Sequence, residues 1–388
     1  MTMKRLTQYI ADETDGTSYS SLKYCFDGID VPKIQYDDHQ NISVKRFGEI
    51  ERIPKSRNLK KKAEQVQKYS KPIFKYFLDG SRRVYKIDDI AYGNRVYPIV
   101  AGQIGVGCCI RDKKQLKKHS IENHLVLSLP RNACSTNRVD LFFNNLTKKI
   151  NEQEYTKKRG IRISKCLFYD NRNLEAGEKY ENLAIAKVQD EMIENEKKVV
   201  ARLASNNFLN EDAYLLKDGS LEYKTLKGGS YSDLSIIKSN YKRVVGVSKS
   251  FNPEKCEDER GKSNANKIAE LKLYHRTPAY MYESSYAKGA KGAVSFAIWY
   301  LRIRDAVYSS SPFEGIVKVE KVLVSEEEKE KGLDSEEVDL ISANIINERL
   351  PVCYGSDLRW ANHLYPIYLT ESYIKSKYYS NKLFLNLF

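Results

Sequence analysis

The 388-residue chain has no Cys-x-x-Cys pair and no cysteine–histidine spacing suited to zinc, which excludes the common structural zinc modules. Its seven cysteines, at 25, 108, 109, 134, 166, 256 and 353, form no even framework, so a reducing compartment is expected rather than a disulfide-stapled exterior. Long apolar runs are missing as well. The longest, "AVSFAIWYL", ends at Arg302, well short of a membrane span. The opening "MTMKRLTQYIADETDG" holds no apolar stretch of signal-peptide length. A soluble, cytoplasmic protein with no membrane partner is the expectation. Nucleotide signatures fail too. "GQIGVG" has neither the dinucleotide spacing nor a P-loop lysine, and "GKS" at 261–263 has Cys256 where a P-loop has its first glycine. No Gly-x-Ser-x-Gly elbow occurs.

What is present is a large apolar fraction, 41%, with 28 tyrosines, enough to bury a core and to argue against disorder over most of the length. A formal charge of +14 favours a polyanionic partner, of which nucleic acid is the commonest. A lysine-rich surface that merely follows genome composition gives the same number.

Residues 1–70 read as a basic arm or helical region, with "RIPKSRNLKKKAEQVQKYSK" as an exposed helix or arm. Strand-like runs follow at 72–79, 82–92, 97–110 and 124–130, spaced as a meander. The stretch 135–180 is charged and less regular, with one candidate strand in "GIRISKCLFY". The region from about 95 to 180 reads as an insertion in a domain covering 71–388. The clearest helix is 182–205, where Ile185, Val188, Met192, Val199 and Leu203 share a face. Further strands are expected at 243–250, 293–303 and 313–324, with an exposed linker, "NPEKCEDERGKSNANK", between the first two. The acidic run 325–337 reads as a solvated loop before a helix, and a last helical segment contains "HLYPIYLTESYIKSKYY". Strands, then a helix, then alternating strands and helices predict an α/β fold: a ribonuclease-H-like mixed sheet flanked by helices.

Asp-Gly-Ser occurs twice, at 79–81 and 218–220, each time after a short apolar run that reads as a strand delivering an aspartate to its end. Alone, such a tripeptide is ordinarily a turn. As a pair on two strands that neighbour each other in this sheet, Asp79 and Asp218 suit hard divalent cations. Two such cations would neutralise a phosphodiester transition state and activate a water. Gly80 and Gly219 would let the chain turn tightly. The helix 182–205 offers Asp190, Glu191, Glu194 and Glu196 as a third acid. Glu196 falls on the apolar stripe between Met192 and Val199, where a carboxylate needs a partner, and Glu191 is the alternative. Lys249, closing the strand "RVVGVSKS", is placed to meet a phosphate, or is simply an exposed strand-end lysine.

"FLDGS", "LLKDGSL", "VVGVSKS", the later pair "FAIWYLRI" and "IVKVEKV", and "YPIYLTESY" together resemble the NurA family of nucleases over roughly residues 72–375. The resemblance implies Mn²⁺- or Mg²⁺-dependent cleavage of DNA, as single-strand endonuclease and 5′-to-3′ exonuclease. It also implies a homodimer and a HerA-like hexameric translocase as partner, in DNA end processing or antiviral defence. By position it carries over Asp79, Glu196 and Asp218 as metal-binding acids, with Lys249, Tyr365 and Tyr373 in the site. Tyr365-Pro366 matches the family's Tyr-Pro, and Tyr373 stands where the family has a histidine, with His363 the nearest substitute. Two other readings remain: an Argonaute-like, RNA-directed nuclease on the same fold, and a nucleic-acid-binding subunit that has lost its chemistry.

Overall fold

The structure, a computed structural model, describes residues 6–19, 23–26, 44–53, 55–170, 179–221, 231–289, 292–309, 311–351 and 360–388. Ten strands form the continuous path of one sheet. They are β1 (Val44–Phe47), β2 (Phe74–Tyr92), β3 (Arg95–Asp112), β4 (Gln115–Pro130), β5 (Lys165–Tyr169), β6 (Tyr214–Asp218), β7 (Val244–Ser248), β8 (Tyr280–Gly289), β9 (Gly292–Arg302) and β10 (Ile316–Val322). Their order across the sheet is β1-β8-β9-β10-β7-β6-β2-β3-β4-β5. β2, β6 and β7 run parallel, whereas β2–β3–β4 and β7–β10–β9–β8 pair antiparallel. Within this path the series β4-β3-β2-β6-β7 is the strand order of a ribonuclease-H-like sheet, an antiparallel meander followed by parallel additions on its first strand.

Seven helices matter for the site and its support: α1 (Leu6–Glu13), α2 (Lys60–Tyr69), α3 (Val139–Glu152), α4 (Tyr180–Ser205), α5 (Ser335–Asn347), α6 (Tyr365–Lys375) and α7 (Asn381–Leu385). α4 covers one face, packing Val188, Met192, Val199, Val200 and Leu203 against Leu78, Val84, Leu215 and Val244. On the other face α2, α5 and α6 close over Phe77, Leu216, Val245 and Val247 with Val66, Val338, Ile341, Ile345 and Ile367. The far half of the β2–β4 meander has its own core, where Tyr85, Ile99 and Leu127 meet Ile10 of α1, Phe143 of α3 and Phe384 of α7.

Four local expectations are corrected. The runs 72–79 and 82–92 are one 19-residue strand, so the first Asp-Gly-Ser lies inside β2 and makes no turn. The irregular stretch holds α3, whose Phe143, Leu146 and Ile150 are buried. The acidic run is helical over Glu326–Lys331, closed by a capping box between Ser325 and Glu328. The linker is no exposed tether, since Cys256, Asp258 and Asn264 are buried. The "GQIGVG" glycines also find a purpose: a Cβ at Gly105 would overlap Ile374, and one at Gly107 would lie 2.7 Å from it. Bare backbone there lets α6 seat directly on β3. The basic stretch before β2 packs as α2 through Leu59, Ala63 and Val66. The apolar tail folds back, with Phe384 fully buried and stacked 4.2 Å from Tyr85. The six described cysteines form no disulfide with one another; Cys353 lies outside the described residues. Among the described residues no helix is long and apolar enough to cross a membrane.

Candidate active site

β2 and β6 run side by side, with Leu78 opposite Lys217, so Asp79 and Asp218 are neighbours one step further along. Side chains alternate across a strand. Asp79 and Asp218 therefore share the α6 face with Phe77 and Leu216, while Gly80 and Lys217 turn to the α4 face. Asp218 also registers with Val247 of β7, whose chain runs on to Lys249. Lys249 Nζ lies 3.0 Å from Asp218 and 3.5 Å from Glu371 of α6. The Lys249 backbone is fixed from behind. Buried Asn362 donates to its carbonyl and to that of Ile316, each at 2.7 Å.

Glu196 arrives from the opposite face. It is 3% exposed and rests on Gly80, where a Cβ would lie 2.9 Å from Glu196 Cδ and closer still to Oε1. Close approach is what Gly80 provides. Lys217, also buried, holds the Glu196 carboxylate at 3.1 Å and donates to the Asp218 carbonyl at 2.6 Å. The second glycine works differently. Gly219 has φ +78°, a left-handed turn conformation that glycine adopts without strain. The turn is anchored by fully buried Glu320, which accepts from Ser220 Oγ at 2.9 Å, from the Leu221 amide at 2.7 Å and from Lys318 at 2.8 Å.

The electrostatics separate Asp79, Glu196 and Glu371. Burial drives the Asp79 carboxyl well above the usual range, the charges of Asp218 and Glu371 push it further, and Lys249 opposes them. Its Oδ2 is buried with no hydrogen-bond partner. Burial also raises Glu196, against the pull of Lys217. Burial would strip the proton from Lys217, but Glu196 holds that ammonium above its ordinary value. Glu371 goes the other way: burial would raise it, yet Lys249 and Lys375 bring it down to about 2, with His363 adding to the attraction.

The structure thus gathers Asp79, Glu196, Asp218 and Lys249, and adds Glu371, which the sequence reading passed over. Glu191 instead pairs with Lys165 of β5 at 2.7 Å. Tyr365 and Tyr373 lie on α6 about 120° and 160° around the helix from Glu371, at 3.6 residues per turn. Tyr365 is exposed and lines a cleft with Arg111, Lys114 and Glu348; Tyr373 is exposed beside Lys377. The tyrosine on the Glu371 side is Tyr368, edge-on to the buried His363 ring at 5.7 Å. A signal for Glu371 was available: it follows Ile367 and Thr370 of the buried α6 stripe at helical spacing.

Oxygen donors only, one of them buried and unsatisfied, suit a hard cation such as Mg²⁺ or Mn²⁺. Among the described residues, however, no three His, Cys, Asp or Glu side chains are drawn close enough to cage an ion by themselves. The residues fit an ion that keeps water and takes further oxygens from a substrate.

No protein-family model matches the chain, and no curated protein does. Among solved structures, the NurA nuclease from Sulfolobus solfataricus is similar over 81% of this chain and 85% of its own, with 12% identity and a TM-score of 0.41.

Proposed function

We propose that this protein is a metal-dependent nuclease that hydrolyses phosphodiester bonds of DNA at the Asp79–Asp218 pair. The observation that supports it most is the buried, unpartnered Oδ2 of Asp79, set beside Asp218 on adjoining parallel strands of a ribonuclease-H-like sheet. A carboxylate so placed is unstable as a charge unless a cation joins it. Bound there, Mn²⁺ or Mg²⁺ would offset charge on the phosphate and ease deprotonation of the attacking water.

The chain's own residues have distinct tasks. Asp79 and Asp218, on the α6 face of the sheet, would hold the cation. Lys249, held by Asn362 behind and Glu371 beside it, presents an ammonium to a phosphate oxygen. Glu196, as the acid beneath Gly80, keeps Lys217 charged under the Asp218 backbone. A HerA-like hexameric translocase and a second copy of this chain are the partners that belong to this reading, in end processing or antiviral defence.

The test is incubation of the purified chain with labelled single- and double-stranded DNA and RNA, with Mn²⁺, with Mg²⁺ and with chelator. Metal-dependent cutting of DNA that disappears in Asp218→Asn is the expected result. RNA-guided cutting would favour the Argonaute-like alternative, and tight binding without cutting would favour an inactive binding subunit. Light scattering and co-purification with a candidate translocase address the partners.

A further inference from the structure

We propose that the acid cluster takes one divalent cation per chain, held between Asp79 and Asp218, rather than the pair of cations that two-metal phosphodiester chemistry uses. The inference rests on the nuclease reading above and narrows it. Its basis is that lysine ammonium groups already stand at the remaining carboxylates. Lys217 is 4% exposed and lies 3.1 Å from Glu196; Lys249 is 7% exposed and lies between Asp218 and Glu371.

Charge balance makes the same point. Asp79, Glu196, Asp218 and Glu371 bring four negative charges, and the two buried ammonium groups cancel two of them. One divalent cation closes the balance; a second would leave the pocket positive before any phosphate arrived. Seating a second ion on Glu196 means tearing Lys217 from its partner deep in the protein, and an unpaired buried charge is strongly disfavoured. Lys217 also donates to the Asp218 carbonyl, so displacing it would loosen the strand that carries the first ion.

Geometry agrees. Glu196 stands on the α4 face beneath Gly80, whereas Asp79 and Asp218 open to the α6 face, so the backbone of β2 comes between Glu196 and the pair. Two carboxylates, waters and phosphate oxygens are a normal shell for Mg²⁺-type ions. In this arrangement Lys249 takes the charge-neutralising task of a second metal, as a fixed point charge.

The experiment is a Mn²⁺ titration of the full chain, reading free ion by electron paramagnetic resonance, beside cleavage assays of the same preparation. One bound equivalent per chain, lost in Asp79→Asn, and a Hill coefficient near 1 for Mn²⁺ in cleavage are expected. Lys217→Met, or Lys217→Gln should the first fail to fold, frees Glu196 and should raise the count to two. Two equivalents in the wild type would overturn the inference while leaving the nuclease reading intact. One equivalent that survives Asp79→Asn overturns its placement. No bound ion with cleavage intact also removes the inference alone, whereas no bound ion and no cleavage removes the nuclease reading with it.

Discussion

Glu196 and Gly80 are in direct contact where α4 meets β2: the carboxylate of the one occupies the space where the side chain of the other would begin. A methyl group at position 80 cannot be fitted without pushing Glu196, and with it Lys217, out of place. Gly80→Ala is therefore expected to cost about 1–3 kcal/mol of stability, the usual range for overpacking, and to abolish cleavage. Gly219→Ala meets only Lys217 Nζ, at 3.8 Å, so its cost is the left-handed backbone alone, about 1–2 kcal/mol. Urea titrations of both variants check this; equal, mild effects would count against the Gly80 contact.

Asp79 is expected to trade stability for chemistry. Its folded carboxyl titrates above the unfolded value, because of burial first and then Asp218 and Glu371. The wild type thus loses stability as pH rises from the ordinary carboxylate range toward the folded value, and holds steady beyond it. Asp79→Asn removes that loss. Without metal, the variant should be more stable than wild type at pH 8, level with it near pH 4, and inactive. A variant less stable than wild type at pH 8 would contradict the picture.

Glu371 has the opposite sign. Its folded value, about 2, lies below the ordinary 4.5, so its contribution is present above pH 4.5 and fades as pH falls toward 2. Glu371→Gln should cost up to about 3 kcal/mol near pH 6, and the gap to wild type should narrow below pH 4.5 and close only as pH approaches 2. A gap as wide at pH 2 as at pH 6 would rule out ion pairing as its source.

The turn after Asp218 hangs on Glu320. Ser220→Ala removes one of its donors and should cost about 0.5–1.5 kcal/mol. Glu320→Ala leaves Lys318 buried without this partner and the Leu221 amide without its acceptor, so about 3–5 kcal/mol is expected. Hydrogen exchange at the Leu221 amide reports the loosening directly; slow exchange in Glu320→Ala would disprove the anchor.

Binding of DNA should weaken steeply with salt, because each phosphate met by a lysine or arginine of this +14 chain releases condensed counterions. Affinity that stays flat between roughly 50 and 200 mM salt would argue against a basic track.

Most strands were legible because β-branched and aromatic runs declare themselves, although β1 and β8 were not anticipated. Glu196 was legible because a helix of 26 residues fixes its own phase, and the 3.6-residue period put one acid on the buried stripe. What stayed hidden was set by neighbours rather than by local sequence. Asp79-Gly80-Ser81 has the composition of a turn, yet β3 pairs with all three residues and keeps them extended, while β6 pairs on the other side only as far as Leu78. Gly105 and Gly107 are bare for the sake of Ile374, far along the chain. Glu371 escaped because attention to Tyr365 and Tyr373 followed spacing from a sequence resemblance, whereas the helix turns those two side chains away. The short helix at 326–331 was announced by Ser325 and Glu328 at capping-box spacing, under a charge run that looked like solvent-facing loop.

Glu371 stands 292 positions after Asp79, on a helix seated on β3 through Ile374. Chains are made from the amino end, and domains begin to organise while later residues are still being added. A ribosome-bound intermediate can therefore own Asp79, Glu196, Asp218 and Lys249 while α6 is still unmade, so Lys249 gains its Glu371 partner only when synthesis is nearly complete. Timing, and not only shape, is written into where that last acid falls.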